Sequence, residues 1–185
     1  KKWPVYSIPN AIDIKKWKPV DKNLSRKTLK LPNELSLILF GSTSGTKDYH
    51  KGFDLLEKSL EKLQSINKKI GLVIFGEDEP EIKPNFKFPI FYLGFLQNSK
   101  SLITAYSAAD VVLIPSRVES FGQVASEANA CSCPVVAFNT SGLRSRLSNS
   151  CLPLTVTETS PPPDSASIII SDNSFCTSSI CFCIS

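Results

Sequence analysis

Residues 35–139 predict a doubly wound α/β fold, Rossmann-like and built on a parallel sheet. Three observations carry it: apolar runs of strand length, helix-period segments between them, and regular alternation of the two. LSLILFGS (35–42) is a short continuous apolar run ending in glycine, the form of a strand buried on both faces. KGFDLLEKSLEKLQSIN (51–67) has helical period, with Phe53, Leu55, Leu56, Leu60 and Leu63 on one side and Glu57, Lys58, Glu61 and Lys62 on the other. IGLVIFGE (70–77) and FPIFYLGF (88–95) read as strands, followed by a helix over 100–109. VVLIPS (111–116) is a strand stopped by Pro115, FGQVASEANAC (121–131) a helix, and PVVAFN (134–139) a further strand. Strands that alternate with helices pair in parallel through crossovers, and such sheets bind ligands at the carboxyl ends of their strands. Functional residues are therefore expected just after residues 42, 77, 95, 116 and 139.

Composition narrows the class. The 185 residues are enough for a real core, with 42% hydrophobic and 21% charged residues. No apolar run approaches the roughly 18 residues of a membrane span, and KKWPVYSIPN at the start lacks a signal-peptide core, so a cytoplasmic location is expected. Six cysteines and a single histidine, His50, give no metal-site spacing, and no metal or cofactor is expected. Much of the net charge of +4 comes from residues 1–34, where Lys1, Lys2, Lys15, Lys16, Lys18, Lys22, Arg26, Lys27 and Lys30 outnumber the acids. That stretch suits a solvated face or peripheral association with an anionic membrane surface. Its basic residues are not interleaved with aromatics, which argues against a nucleic-acid partner.

Beyond Arg146 the character changes. Residues 147–185 contain no Lys or Arg, carry a triple proline at 161–163, and hold Cys151, Cys176, Cys181 and Cys183. Either a low-complexity tail or translation after loss of the reading frame near residue 144 accounts for this. Three regions are thus expected: 1–34 leading into the domain, 35–143 as an incomplete ligand-binding domain, and 144–185 as an atypical tail.

RVESFGQVASEA (117–128) places Glu119 and Glu127 eight residues apart around Phe121-Gly122. Ser120 and Gln123 fit a capping box, with Ser120 as N-cap. First-turn amides of the following helix would favour an anion, and Gly122 would admit a close ligand. Counting helical steps of about 100° from Glu119, both acids border one cleft. A diphosphate between two hydroxyl-bearing rings suits that arrangement; the alternative from spacing alone is a loop charge and an exposed helix residue. In GSTSGTKDYHKGFDLL (41–56), Gly41 and Gly45 loosen the first strand-to-helix loop, and Lys51 stands at a helix start where its ammonium can reach a phosphate or simply face solvent. The stretch is neither a P-loop nor a dinucleotide glycine motif, and His50 reads as a loop residue.

PSRVESFGQVASEA resembles the E-x7-E signature of retaining, nucleotide-sugar-dependent glycosyltransferases of family 4 with the GT-B fold. The order of the surrounding motifs agrees: IPNAID (8–13), LILFGS (37–42), KGFDLL (51–56), VIFGE (73–77), FYLGFL (91–96), SAADVVLIPS (107–116), PVVAF (134–138) and SGL (141–143). The resemblance implies the C-terminal, donor-binding half of such an enzyme, which moves a sugar from a nucleoside diphosphate to a sugar or lipid-linked acceptor. By it, Glu119 contacts the donor sugar and is the catalytic residue. Backbone at Ser120, Phe121 and Gly122 meets sugar and diphosphate, Lys51 binds the diphosphate, Glu127 the ribose hydroxyls with Val124 beside the nucleoside, and the loop Gly94-Phe95-Leu96 holds the base. Gly41 and Lys47 complete the donor site. No metal is implied, and no DxD motif is present.

The chain departs from that pattern in three places. Ser44-Gly45-Thr46 stands where the family often has an arginine, leaving Lys47 to substitute. Cys131-Ser132-Cys133 precedes the PVVAF strand where a glycine is usual; a left-handed backbone at Ser132, if the turn needs one, costs about 1 kcal/mol. Ala11 replaces the usual glycine of IPNAID. Because IPNAID resembles the interdomain linker, an acceptor-binding N-terminal domain is expected to be missing, leaving a fragment inactive alone. The readings from other classes are a non-enzymatic Rossmann-like module that binds a nucleotide or protein, and a fragment without function.

Overall fold

The computed structural model describes residues 10–41, 45–63 and 69–138, together with the backbone of two strands at 154–155 and 168–171. In chain order the elements are α1 (Lys22–Thr28), β1 (Ser36–Gly41), two 3-10 turns (Gly45–Lys47 and Tyr49–Lys51), α2 (Phe53–Leu63), β2 (Ile70–Phe75), β3 (Ile90–Tyr92), α3 (Ser99–Ala108), β4 (Val111–Ile114), α4 (Gln123–Ala130), β5 (Val135–Phe138), β6 (Leu154–Thr155) and β7 (Ile168–Ser171). The sheet order is β3-β2-β1-β4-β5-β7-β6. The first five strands pair in parallel, as expected, whereas β7 runs antiparallel to β5 and β6 antiparallel to β7.

Alternation along each strand builds two cores, one on each face of the sheet. Leu37 and Leu39 of β1 and Val112 and Ile114 of β4 join one core, with Tyr106 of α3 and Ala125 and Ala128 of α4. Ile38 and Phe40, with Val111 and Leu113, join the other, under Phe53, Leu56 and Leu60 of α2. The continuous apolar runs are therefore strands covered on both sides, and no polar face was needed for solvent.

Several element boundaries differ from expectation, among them the strand expected over 88–95, which is confined to Ile90–Tyr92. The helix predicted over 51–67 starts two residues later, because Gly52 adopts a left-handed backbone (φ 69°) between the 3-10 turn and α2; its predicted end at 64–67 lies outside the described residues. Gly52 has no substitute there, since a Cβ would lie 2.0 Å from the Pro115 carbonyl oxygen. The segment α1, within the lysine-rich stretch, is docked against α3. Arg26 is 4% exposed; its Nε donates to the Ala108 carbonyl, Nη1 to the carbonyls of Pro32, Asn33 and Leu35, and Nη2 to Asp110 at 2.7 Å. Lys22 reaches the same carboxylate at 2.6 Å. Of the cations read as surface charge, Arg26 is thus buried and Lys22, still partly exposed, is paired with Asp110.

The chain reverses its direction of winding between β1 and β4, which are neighbours in the sheet but far apart in sequence. At such a switch point the loops leaving two adjacent parallel strands turn away from each other and open a crevice for a ligand. The loop after β1 carries Lys47 and Lys51; the loop after β4 carries Glu119 to Gly122.

Candidate functional site

The crevice brings Lys51 and Glu119 together. Lys51 Nζ lies 2.6 Å from Glu119 Oε1, and Ser116 Oγ donates to the same oxygen at 3.0 Å. Both charged side chains are partly covered, 27% and 13% exposed, so the pair is less screened than a surface ion pair while remaining reachable from solvent. An ammonium held beside the C-terminal edge of a parallel sheet is a ready partner for a phosphate, and a carboxylate beside it accepts hydrogen bonds from hydroxyls.

The capping box is not formed. Helix α4 begins at Gln123, and its N-cap is Gly122, left-handed at φ 70°, with no side chain capping the first turn. Gly122 turns the chain into the helix two residues later than the motif places it. Gln123 uses its side chain instead on Glu127, Nε2 to Oε1 at 3.1 Å. An uncapped first turn next to the Lys51–Glu119 pair keeps the anion-favouring end of the helix open. The helical count from Glu119 to Glu127 also lapses, because Glu119 precedes the helix by four residues. The two acids belong to different surroundings: Glu119 faces the loop after β1, and Glu127 turns toward α3.

Glu127 is 8% exposed, contrary to the reading of an exposed helix residue. The Tyr106 hydroxyl, itself within the core, donates to Glu127 Oε2 at 2.9 Å. Burial raises the Glu127 carboxyl above its ordinary range, and the bonds from Gln123 and Tyr106 oppose that rise. Burial, reinforced by the Glu127 charge, also pushes the neighbouring Cys131 thiol up to about 12, so it stays protonated and unreactive.

Other predicted residues fall as follows. Gly41 ends β1 against the Phe75 ring, where a Cβ would come within 2.0 Å; its glycine serves that packing. Lys47 is exposed at the end of the first 3-10 turn. Beside it, the Thr46 amide and hydroxyl both donate to Glu77 Oε2, at 2.9 and 3.2 Å, tying that loop to the end of β2. Gly94 takes φ 63° and its carbonyl accepts from the Gly76 amide at 2.9 Å, which shapes the loop after β3. Phe95 is 57% exposed on that loop, and Leu96 packs partly into the core. Ser120 is exposed, and Phe121 and Val124 are half-buried around the start of α4. His50 is an exposed loop residue whose backbone carbonyl accepts from the Arg117 amide.

Sequence reasoning missed Arg117 and Asp54. Their side chains form a two-pronged pair, Nη1 to Oδ1 and Nη2 to Oδ2, both at 2.7 Å. No local pattern announces it, because the partners are 63 residues apart. Tyr106 was also missed; within the helix predicted over 100–109, it supplies the hydroxyl that donates to Glu127.

Among the described residues no group of three or more His, Cys, Asp or Glu side chains is placed to hold a metal ion, and no helix is long and apolar enough to cross a membrane. Strand order, switch-point crevice and anion-suited loops define a Rossmann-like half of a GT-B-type molecule. The chain belongs to the glycosyl transferases group 1, a family it matches over residues 21–150. It is 32% identical over 156 residues to a D-inositol 3-phosphate glycosyltransferase of Xylanimonas cellulosilytica, covering 76% of this chain and 36% of that protein. Over 140 residues it is 34% identical to the same-named protein of Mycobacteroides abscessus, covering 72% and 31%. The chain thus spans about a third of the length of the curated relatives it matches. Among solved structures, a sucrose-phosphate synthase from Thermosynechococcus elongatus superposes with a TM-score of 0.61 at 28% identity, over 76% of this chain and 36% of that one. A C-terminal domain of a glycosyl transferase group 1 family protein from Francisella tularensis gives 0.58 at 21% identity, over 74% of each chain, and shares the fold.

Proposed function

We propose that this chain is the donor-binding half of a retaining glycosyltransferase that moves a sugar from a nucleoside diphosphate to a sugar or lipid-linked acceptor. The observation that carries the reading is the meeting of Lys51 and Glu119 at the β1/β4 switch point, beside the uncapped start of α4. Lys51 and the first amides of α4 take the diphosphate, and the same donors stabilise it as it leaves. Glu119 accepts from donor-sugar hydroxyls once the diphosphate draws Lys51 away. Glu127 accepts from the ribose hydroxyls, with Val124 against the nucleoside and the Gly94-Phe95-Leu96 loop against the base. Lys47 adds positive charge at the mouth of the crevice. The acceptor is held by a further domain, in keeping with the third of each relative's length that this chain covers and with the fold it shares with an isolated C-terminal domain. The chemistry asks for no metal ion.

Calorimetry with uridine, guanosine and adenosine diphosphates tests the reading. One of the three binds the chain saturably. Glu127→Ala weakens it by at least about tenfold, the loss expected when a ligand's charge-assisted hydrogen bonds are removed. The isosteric Glu127→Gln, which keeps the packing against Tyr106, also weakens it. Unchanged affinity in both variants would remove the ribose role.

A further inference from the structure

Lys51 and Glu119 lie on two loops, and neither is part of an α-helix or a strand. Loops alone leave such long side chains many arrangements, so a defined ion pair between them needs something to hold the loops in register. Arg117 does this, two residues before Glu119. Its amide donates to the His50 carbonyl at 2.9 Å, and its Nη1 donates to the Tyr49 carbonyl at 2.9 Å as well as to Asp54. Its guanidinium carbon sits 4.0 Å from the centre of the Tyr49 ring. Asp54, in the first turn of α2, closes the fork. The backbone at Gly52, pressed against Pro115, makes the same join from below. Residues 49–54, with Lys51 in their middle, are thus fastened to 115–117.

An arginine beside a phosphate crevice would ordinarily be read as a phosphate ligand. Here its forked donors are committed to Asp54 and Tyr49, its face is covered by the Tyr49 ring, and a carboxylate stands against it. We propose that Arg117 and Asp54 are a positioning pair that holds Lys51 where it can read the second phosphate of the nucleotide, although neither touches the ligand. The inference rests on the diphosphate role of Lys51 given above. The Arg117 hydrogen bond also holds the Asp54 carboxyl below its usual range, so the pair stays ionised near neutral pH.

A merely structural ion pair on a partly exposed surface contributes little and would affect all ligands alike. The test compares the best-binding nucleoside diphosphate with its monophosphate, by calorimetry, in wild type, Lys51→Ala, Arg117→Met, Asp54→Asn and the Lys51→Ala/Arg117→Met double variant. Thermal unfolding followed by circular dichroism reports whether each variant is folded. Arg117→Met is expected to weaken the diphosphate about five- to tenfold, the coupling typical of side chains acting as one unit, and to leave the monophosphate unchanged. In the Lys51→Ala background that loss disappears. Arg117→Lys keeps the charge without the fork and does not restore affinity. Asp54→Asn breaks the pair from the α2 side with the same result, so the outcome does not depend on one variant folding. Equal weakening of both nucleotides, persistence of the loss without Lys51, or no loss at all overturns the positioning role. If Lys51→Ala weakens the diphosphate and the Arg117 and Asp54 variants do not, only the positioning role fails. If Lys51→Ala is itself without effect, the diphosphate role of Lys51 fails and takes the positioning role with it.

Discussion

In the proposed ribose role, Glu127 would accept hydrogen bonds from the ligand as a buried, ionised carboxylate. Burial raises its pKa above the ordinary 4.5, while Gln123 and Tyr106 stabilise the charged form. For stability the sign follows directly: between 4.5 and the raised value the folded chain holds a proton that the unfolded chain has released. Stability from this group is therefore greatest at low pH and declines as pH rises through that window. If Glu127 binds the ribose, nucleotide affinity is expected to run the opposite way, full above the raised pKa and falling as the carboxylate protonates. The groups facing Glu127 do not change charge in that window. Gln123 carries no charge, the Tyr106 hydroxyl is held well above its usual pKa by burial, and the Cys131 thiol is pushed up to about 12. Tyr106→Phe deletes a bond to the ionised form and should move the acid limb of the affinity profile to higher pH. Glu127→Gln should flatten the part of the profile that Glu127 contributes, separating it from ionisation of the nucleotide's own phosphate. A Tyr106→Phe profile that overlays wild type would show that the hydroxyl does not tune this acid.

Among the elements, the helix ends were less legible than the strands. Both α1 and α4 finish with a left-handed residue that is not glycine, Lys30 at φ 56° and Ser132 at φ 57°. Each end makes the same two closing bonds: Leu31 N–H to the Arg26 carbonyl with Lys30 N–H to Lys27, and Cys133 N–H to the Ala128 carbonyl with Ser132 N–H to Asn129. The left-handed backbone expected of Ser132 is present. The resemblance marked that position, because the family usually has a glycine before the PVVAF strand. Nothing in the lysine-rich context of Lys30 marks it in the same way. A side chain in that conformation costs about 1 kcal/mol. Ser132→Gly is expected to recover most of that, raising the melting temperature by about 3 °C for a chain of this size. A melting temperature that stays level or falls would mean that Ser132 is compensated by contacts beyond its backbone. The α4 start failed for the complementary reason: Ser120 and Gln123 fit a capping pattern, but Gly122 offered a left-handed turn that placed the helix beyond its reach.

For the molecule as a whole, one guanidinium joins α1 to the sheet. Arg26 and Lys22 converge on Asp110, whose second oxygen also accepts from the Leu37 amide at 2.6 Å, while the Asp110 amide donates to the Leu37 carbonyl. The carboxylate therefore ties α1, β1 and the start of β4 at one point. Removing a buried partner leaves the other charge uncompensated, at about 3–5 kcal/mol. Lys22, 39% exposed, supplies some compensation, so Arg26→Met should lie near the lower end, about 3 kcal/mol, read as a fall in the urea midpoint. A loss below about 1 kcal/mol would place the pair among ordinary surface bridges. The same geometry reduces the basic charge that residues 1–34 present to solvent, because Arg26 is turned inward and Lys22 is neutralised by Asp110.

The order of strands and helices over residues 35–139 and the two-sided burial of β1 were determined by the sequence itself, because hydrophobic period and run length are local properties that survive without tertiary context. The acids of RVESFGQVASEA were visible too, and the motif order around them pointed to the family. Only the tertiary structure decided what each acid faces. Lys51 meets Glu119 across 68 residues, Arg117 meets Asp54 across 63, and Tyr106 meets Glu127 across 21. Those partners are chosen by the reversal of winding between β1 and β4 and by the packing of α3 on α4. Neither leaves a periodic trace in the chain, since contacts between distant loops depend on which strands become neighbours.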